Sequence, residues 1–254
     1  VLFRSTLRAS QGIAISVLHA AHARYEWTPH SLAGRVTRTP RAPARDAWLT
    51  DDQLLAMLCA GDDVHLDLAI LAAVWTVWRQ ANILGLTWDR IVWPVRSPDG
   101  TLQRPGLIHC TGTGDDGNRT KNGDPLVQPM SNRLEQLLRL AQEWRIDPTN
   151  PLVFTDANGR GWLLPVAGRV DQSRFAGMYR FKQRLAKAGL PPDFRWHDLR
   201  RTGASALLQA GANPKALQVI GGWRTPGMLD VYAKLADRQL LDAVNATNRQ
   251  ENGK

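Results

Sequence analysis

The chain has 254 residues, 32 Lys and Arg against 23 Asp and Glu, a formal net charge of +9, and 43% hydrophobic residues. That content supports a buried core and excludes a mostly disordered chain, and the length allows one or two domains. Two cysteines, Cys59 and Cys110, exclude a disulfide framework and a four-cysteine zinc site, so a reducing cytoplasm is the expected location.

Val1-Leu2-Phe3-Arg4-Ser5 does not resemble a natural start, and these five residues are read as derived from adapter DNA. Residues 6–27 carry Ile13, Val17, Ala20, Ala21 and Tyr25 at helical spacing and predict one or two helices. His19 and His22, three apart with no further ligand, are read as ordinary helix residues, and no metal is expected. Residues 34–47, rich in proline and arginine and without periodicity, read as a linker. Thr50-Asp51-Asp52-Gln53 has capping-box form ahead of an apolar run. Asp67 to Leu86 predicts a long helix. The longest apolar run of the chain, Leu66 to Trp78, overlaps it and is too short to span a bilayer. No signal-peptide pattern is visible and no membrane partner is expected.

Arg90–Val95, Gly106–Cys110, Pro125–Met130 and Leu152–Phe154 are β-like, with turn residues between them, and predict a small antiparallel sheet. From Ser131 onward the pattern is helical, with candidates at Ser173–Ala188, Trp196–Ala210, Pro214–Ile220 and Pro226–Leu235. Asn213-Pro214 and Thr225-Pro226 each pair an N-cap residue with a proline at the first helical position. Asp237–Val244 predicts one more amphipathic helix. The fold class is therefore mainly α (α+β), a helical domain with a small antiparallel sheet.

The charge is concentrated. Residues 1–45 hold seven arginines and one glutamate, and residues 160–201 hold ten Lys and Arg against three Asp. A polyanion is the first partner such patches suggest. Between and around them stand residues able to do chemistry: Arg79 followed by Ile83-Leu84-Gly85-Leu86-Thr87-Trp88-Asp89, Lys121 in Thr120-Lys121-Asn122-Gly123, His197-Asp198-Leu199-Arg200, Gly221-Gly222-Trp223, and Tyr232 nine residues on.

In that order these motifs resemble the tyrosine recombinase (phage integrase) family, from about Asp46 to Leu235. The resemblance implies the family's catalytic fold over residues 48–254, with residues 1–33 similar to the end of its helical core-binding domain and most of that clamp missing. It implies that Arg79 and Arg200 are the catalytic arginines, Lys121 the hairpin lysine, His197 the histidine of the His-x-x-Arg box, Trp223 the occupant of a second-histidine position, and Tyr232 the nucleophile. Asn82 stands where the family usually has an acidic residue. Asn accepts a hydrogen bond there but brings no charge.

The implied activity is site-specific DNA recombination for a phage or other mobile element through a 3′-phosphotyrosyl intermediate, without metal, ATP or other cofactor. The implied partners are double-stranded DNA and further copies in a homo-tetramer on paired sites. Chromosome-dimer resolution and a catalytically impaired DNA-binding fragment are the alternatives.

Overall fold

The computed structural model describes residues 2–28, 31–37, 39–40, 47–110, 125–166 and 169–224, and for residues 2–6 and 164–174 the backbone alone. The chain divides into two compact units, Val1–Asp46 and Ala47–Lys254.

In the first unit, helix α1 (Leu2–Ala23) is followed by a short 3₁₀ turn, Ala33–Arg35. Ile15 is buried within this unit, while Ile13 and Val17 of the expected apolar stripe are exposed. Part of the stretch read as a linker folds back on α1. The Gln11 side chain accepts from Thr39 N and Oγ1, both at 2.9 Å, and Arg8 donates to Thr39 O at 2.7 Å. His19 and His22 each have a polar partner in the same unit, Ser31 Oγ and Thr28 O.

The second unit begins as its sequence predicts. Thr50 caps α2 (Asp51–Cys59), accepting from Gln53 N at 3.2 Å while Gln53 Oε1 accepts from Thr50 N at 3.0 Å. Helix α3 (Val64–Thr76) is capped by Asp63 and buried on nearly all sides, as its apolar composition requires. The long helix expected over Asp67–Leu86 is broken. Val77 adopts φ +52°, Trp78 and Arg79 leave the helix, and the short α4 (Gln80–Leu84) restarts it. The break is held by tertiary packing, since Val77 is fully buried with Ala204, Leu217 and Trp223.

Strands β1 (Ile91–Val92), β4 (Leu107–Cys110) and β5 (Leu126–Pro129) form an antiparallel sheet in the order β1-β4-β5, with Ile91 opposite Ile108 and Cys110 opposite Leu126. A separate ribbon pairs β2 (Val95–Arg96) with β3 (Leu102–Arg104). Leu152 makes only an isolated bridge to Thr87, not a strand. Ser131 caps α5 (Asn132–Glu143), which buries Leu134, Leu137, Leu138 and Ala141 at helical spacing and packs on α3.

The sequence reading did not predict strand β3 of the ribbon, and it also missed a hairpin, β6 (Leu163–Val166) with β7 (Arg169–Phe175). This hairpin takes the first residues of the helix expected at Ser173–Ala188, so α6 spans only Met178–Lys187. Helices α7 (Trp196–Gln209) and α8 (Pro214–Gly221) lie where predicted, the second capped by Asn213 with proline at its start. The Pro226–Leu235 and Asp237–Val244 helices lie outside the described residues. No described helix is long and apolar enough to cross a membrane.

Two contacts set the site's framework. Trp196, the first residue of α7, packs edge-on to Phe175 at 4.6 Å and against Phe181 at 5.6 Å, anchoring that helix start in the core. Further along, α7 crosses α3 at Gly203, where an added Cβ would lie 1.9 Å from the Val74 carbonyl oxygen. Leu49 N donates to the buried Thr202 Oγ1 at 3.0 Å beside this crossing. A Gly203→Ala substitution should force the helices apart and destabilise the second unit by about 1–3 kcal/mol, read as a lowered urea midpoint. An unchanged midpoint would show that the crossing tolerates a side chain.

Candidate active site

The α3–α7 crossing brings two arginines and a histidine into one neighbourhood. Arg79 occupies the N-cap position of α4, with extended backbone (φ −70°, ψ 153°), and its carbonyl accepts from Asn82 N at 2.9 Å and Ile83 N at 3.1 Å. Its guanidinium is half-buried. Burial lowers its pKa and the nearby Cys110 sulfur opposes that shift. An arginine stays charged through such a perturbation. Among the described residues, no carboxylate pairs with it.

Arg200 lies on α7 and is 3% exposed. Its guanidinium carbon sits 4.0 Å from the centroid of the Trp223 ring, and Nη2 donates to Gly221 O at 2.7 Å. Both contacts come from the end of α8. The carbonyls of a helix's last turn lack partners within the helix and carry its partial negative charge, so a cation is favoured there. Trp78 Nε1 donates to the neighbouring Ile220 O at 3.2 Å, tying the α3–α4 break to the same helix end.

Gly221-Gly222-Trp223 has a physical reading in this setting. A Cβ at Gly221 would lie 1.8 Å from the Trp223 ring, and Gly222 adopts φ +63° to end the helix. Trp223 is 8% exposed. Gln218 accepts from its N–H at 3.0 Å through the backbone carbonyl and donates Nε2 to its carbonyl at 3.1 Å.

His197 stands three residues before Arg200 on α7 and keeps an exposed surface. Its pKa is lowered, first by partial desolvation, then by repulsion from Arg200, Arg201 and Arg79, with Asp198 opposing. Asp198 is buried. It accepts from Arg195 N at 2.8 Å at the helix start and faces Arg201 at 3.7 Å. Asn82, also buried, donates Nδ2 to Cys110 Sγ at 2.9 Å.

The structure thus gathers Arg79, His197, Arg200 and Trp223, with Asn82 behind Arg79. Lys121 and Tyr232 lie outside the described residues. Two guanidiniums beside a neutral imidazole make a receptor for an oxyanion, phosphate above all. Sequence reasoning missed the supporting residues Gly203, Gln218, Trp78 and Cys110. Only Gly203 left a signal, as a glycine inside a helical pattern.

The profile of the phage integrase family matches residues 47–239, which contain every one of these groups. The chain belongs to the phage integrase family. It is 41% identical over 73 residues to an integrase of Salmonella phage P22 and 28% identical over 100 residues to a tyrosine recombinase of Thermosipho africanus. Those stretches cover 29% and 39% of this chain but only 19% and 32% of the relatives' own lengths. Among solved structures it is similar to the catalytic domain of bacteriophage HP1 integrase, with TM-score 0.51, 22% identity, and coverage of 78% of this chain and 94% of that one. A lambda integrase dimer bound to a COC′ core site matches with TM-score 0.65 and 17% identity over 90% of this chain and 73% of that one. The fold is that of tyrosine recombinase catalytic domains.

The lowered His197 pKa carries a pH consequence. The unfolded chain binds this proton near the ordinary value of 6.5 and the folded chain only at lower pH. The His197 contribution to stability is therefore complete above about pH 6.5 and is lost as pH falls below it. Urea midpoints of wild type and His197→Gln should converge between pH 7.5 and about pH 5. Parallel midpoints would show that the histidine titrates alike in both states.

Proposed function

We propose that this chain is a DNA strand transferase, a site-specific recombinase or integrase of a phage or other mobile element. In this reading Tyr232 attacks a DNA phosphodiester through its phenolic oxygen. A 3′-phosphotyrosyl bond forms, the bond to the 5′ oxygen breaks, and the attack of a 5′ hydroxyl reverses the step. The bond energy is conserved, so no ATP is required, and the arginine side chains supply the positive charge that a metal would otherwise bring to the phosphate.

The observation that carries this reading is the buried Arg200 guanidinium, fixed between the Trp223 ring and Gly221 O with Arg79 and His197 beside it. Rigid donors aimed at the nonbridging oxygens lower the barrier because they need no reorganisation as charge develops. His197, kept neutral by its surroundings, is suited to take the phenolic proton. Lys121 is assigned to protonate the departing 5′ oxygen. Trp223 serves as the platform that orients Arg200.

Double-stranded DNA is the proposed partner, held through the basic segments, with four copies acting on paired sites. A solved lambda integrase tetramer bound to a Holliday junction, similar with TM-score 0.56 and 19% identity, is consistent with such an assembly. The proposed setting is the cytoplasm of a bacterial or phage-infected cell. Residues 1–33 are proposed as the end of a core-binding domain, with 34–47 joining it to the catalytic domain at 48–254.

Covalent capture tests the reading. Wild type incubated with pooled nicked duplexes should give a protein–DNA adduct on a denaturing gel, and Tyr232→Phe should give none. Arg200→Ala should slow adduct formation about 10²–10³-fold. An adduct that persists in Tyr232→Phe, or a wild-type rate in Arg200→Ala, would overturn the assignment.

A further inference from the structure

Asn82 and Cys110 are each 1% exposed and 28 positions apart in sequence, yet Asn82 Nδ2 donates to Cys110 Sγ at 2.9 Å. The contact lies at an apolar seam, since Ile83, Ile108, Cys110 and Leu126 belong to one core cluster. A buried carboxamide in such a place needs a partner, and a thiol sulfur is a weak, soft acceptor that provides one without introducing a charge. Both ends of the contact are anchored. Asn82 sits in the first turn of α4, its backbone N–H bonded to the Arg79 carbonyl at 2.9 Å. Cys110 is the last residue of β4, paired with Leu126 on β5, at the point where the chain enters residues 111–124 and hence Lys121.

We propose that Cys110 is a positioning residue, and that its hydrogen bond with Asn82 clamps the start of α4, and with it Arg79, against the strand pair flanking Lys121. The inference rests on the strand-transfer reading given above. The clamp joins the part of the chain that binds the phosphate to the part that protonates the leaving oxygen, so its loss acts on the rate of chemistry more than on DNA affinity. Being neutral, it holds Arg79 without a carboxylate that would compete with the phosphate for the guanidinium.

The test is a mutant cycle in the full chain with Cys110→Ala, Asn82→Ala and the double variant, together with Cys110→Ser. Single-turnover adduct formation on a nicked duplex, DNA Kd and urea midpoints are read on each. Cys110→Ala should slow adduct formation about tenfold or more while Kd stays within about twofold. Cys110→Ser, which keeps an acceptor on the same carbon, should recover most of the rate. The double variant should be no slower than the slower single. Replacing the exposed Cys59 by alanine should leave the rate at wild type.

A wild-type rate in Cys110→Ala, or slowing that multiplies in the double variant, overturns the clamp. If Cys110→Ala does not fold, Cys110→Ser against Asn82→Ala carries the same comparison, and serine performing no better than Asn82→Ala overturns it. Failure of the underlying reading is seen separately, as a wild type that yields no Tyr232-dependent adduct. The urea midpoints then decide, with non-additive shifts supporting the clamp and additive shifts overturning it.

Discussion

A guanidinium that is 3% exposed is tolerated only where its lost hydration is replaced, and much of this domain is arranged around that requirement at Arg200. Two of the replacing contacts come from one helix end. Gly221 O accepts the hydrogen bond, and the Trp223 ring lies flat under the cation, so two consecutive requirements fall on three residues. The ring can lie there only because position 221 has no Cβ, and the chain can turn back to deliver it only because position 222 accepts a positive φ. Gln218 then fastens Trp223 through both its N–H and its carbonyl. The result is a cation with few rotamers left to lose, which is the property a preorganised phosphate site needs.

The second arginine reaches the same place by a different device. A continuous helix through residues 64–84 would carry Arg79 onward along the α3 axis. Instead Val77 adopts a left-handed conformation that a β-branched residue ordinarily avoids, and burial against Ala204, Leu217 and Trp223 compensates it. That cluster contains the very tryptophan that supports Arg200. The break that frees Arg79 from the helix and the platform that fixes Arg200 are thus parts of one packing unit, closed by the approach of α7 to α3 at Gly203.

Which features could be read from sequence follows from how local their causes are. The Thr50–Gln53 capping box and the Asn213-Pro214 helix start are settled within four residues, and both form as the sequence predicts. The helix break at Val77 depends on residues more than a hundred positions away and left no local trace. The β6–β7 hairpin likewise overrode a helical pattern at Ser173–Phe175, because pairing of Leu163 with Phe175 is a non-local gain. Arg79, His197, Arg200 and Trp223 were legible through family resemblance and the geometry brings them together, whereas Lys121 and Tyr232 rest on resemblance alone. Cys110 was invisible, since nothing in a sequence marks a buried thiol as the partner of a particular amide.

The asparagine at position 82 also makes sense as electrostatics. A carboxylate in that 1% exposed position would require a cation to offset its desolvation, and Arg79, three residues earlier in the same turn, is the candidate the fold offers. Such a pair would spend the guanidinium on a permanent internal partner. With Asn82 donating to the Cys110 thiol, this position brings no carboxylate, and the Arg79 charge remains uncancelled by any described carboxylate. His197 is subject to the same electrostatics, because desolvation first and then repulsion from Arg200, Arg201 and Arg79 lower its pKa, with Asp198 opposing. A phosphate entering beside these arginines would reverse that repulsion and raise the histidine's proton affinity. In the proposed reaction the site presents a neutral base before the anion arrives and a better proton holder after, the order that proton transfer from an attacking phenol demands.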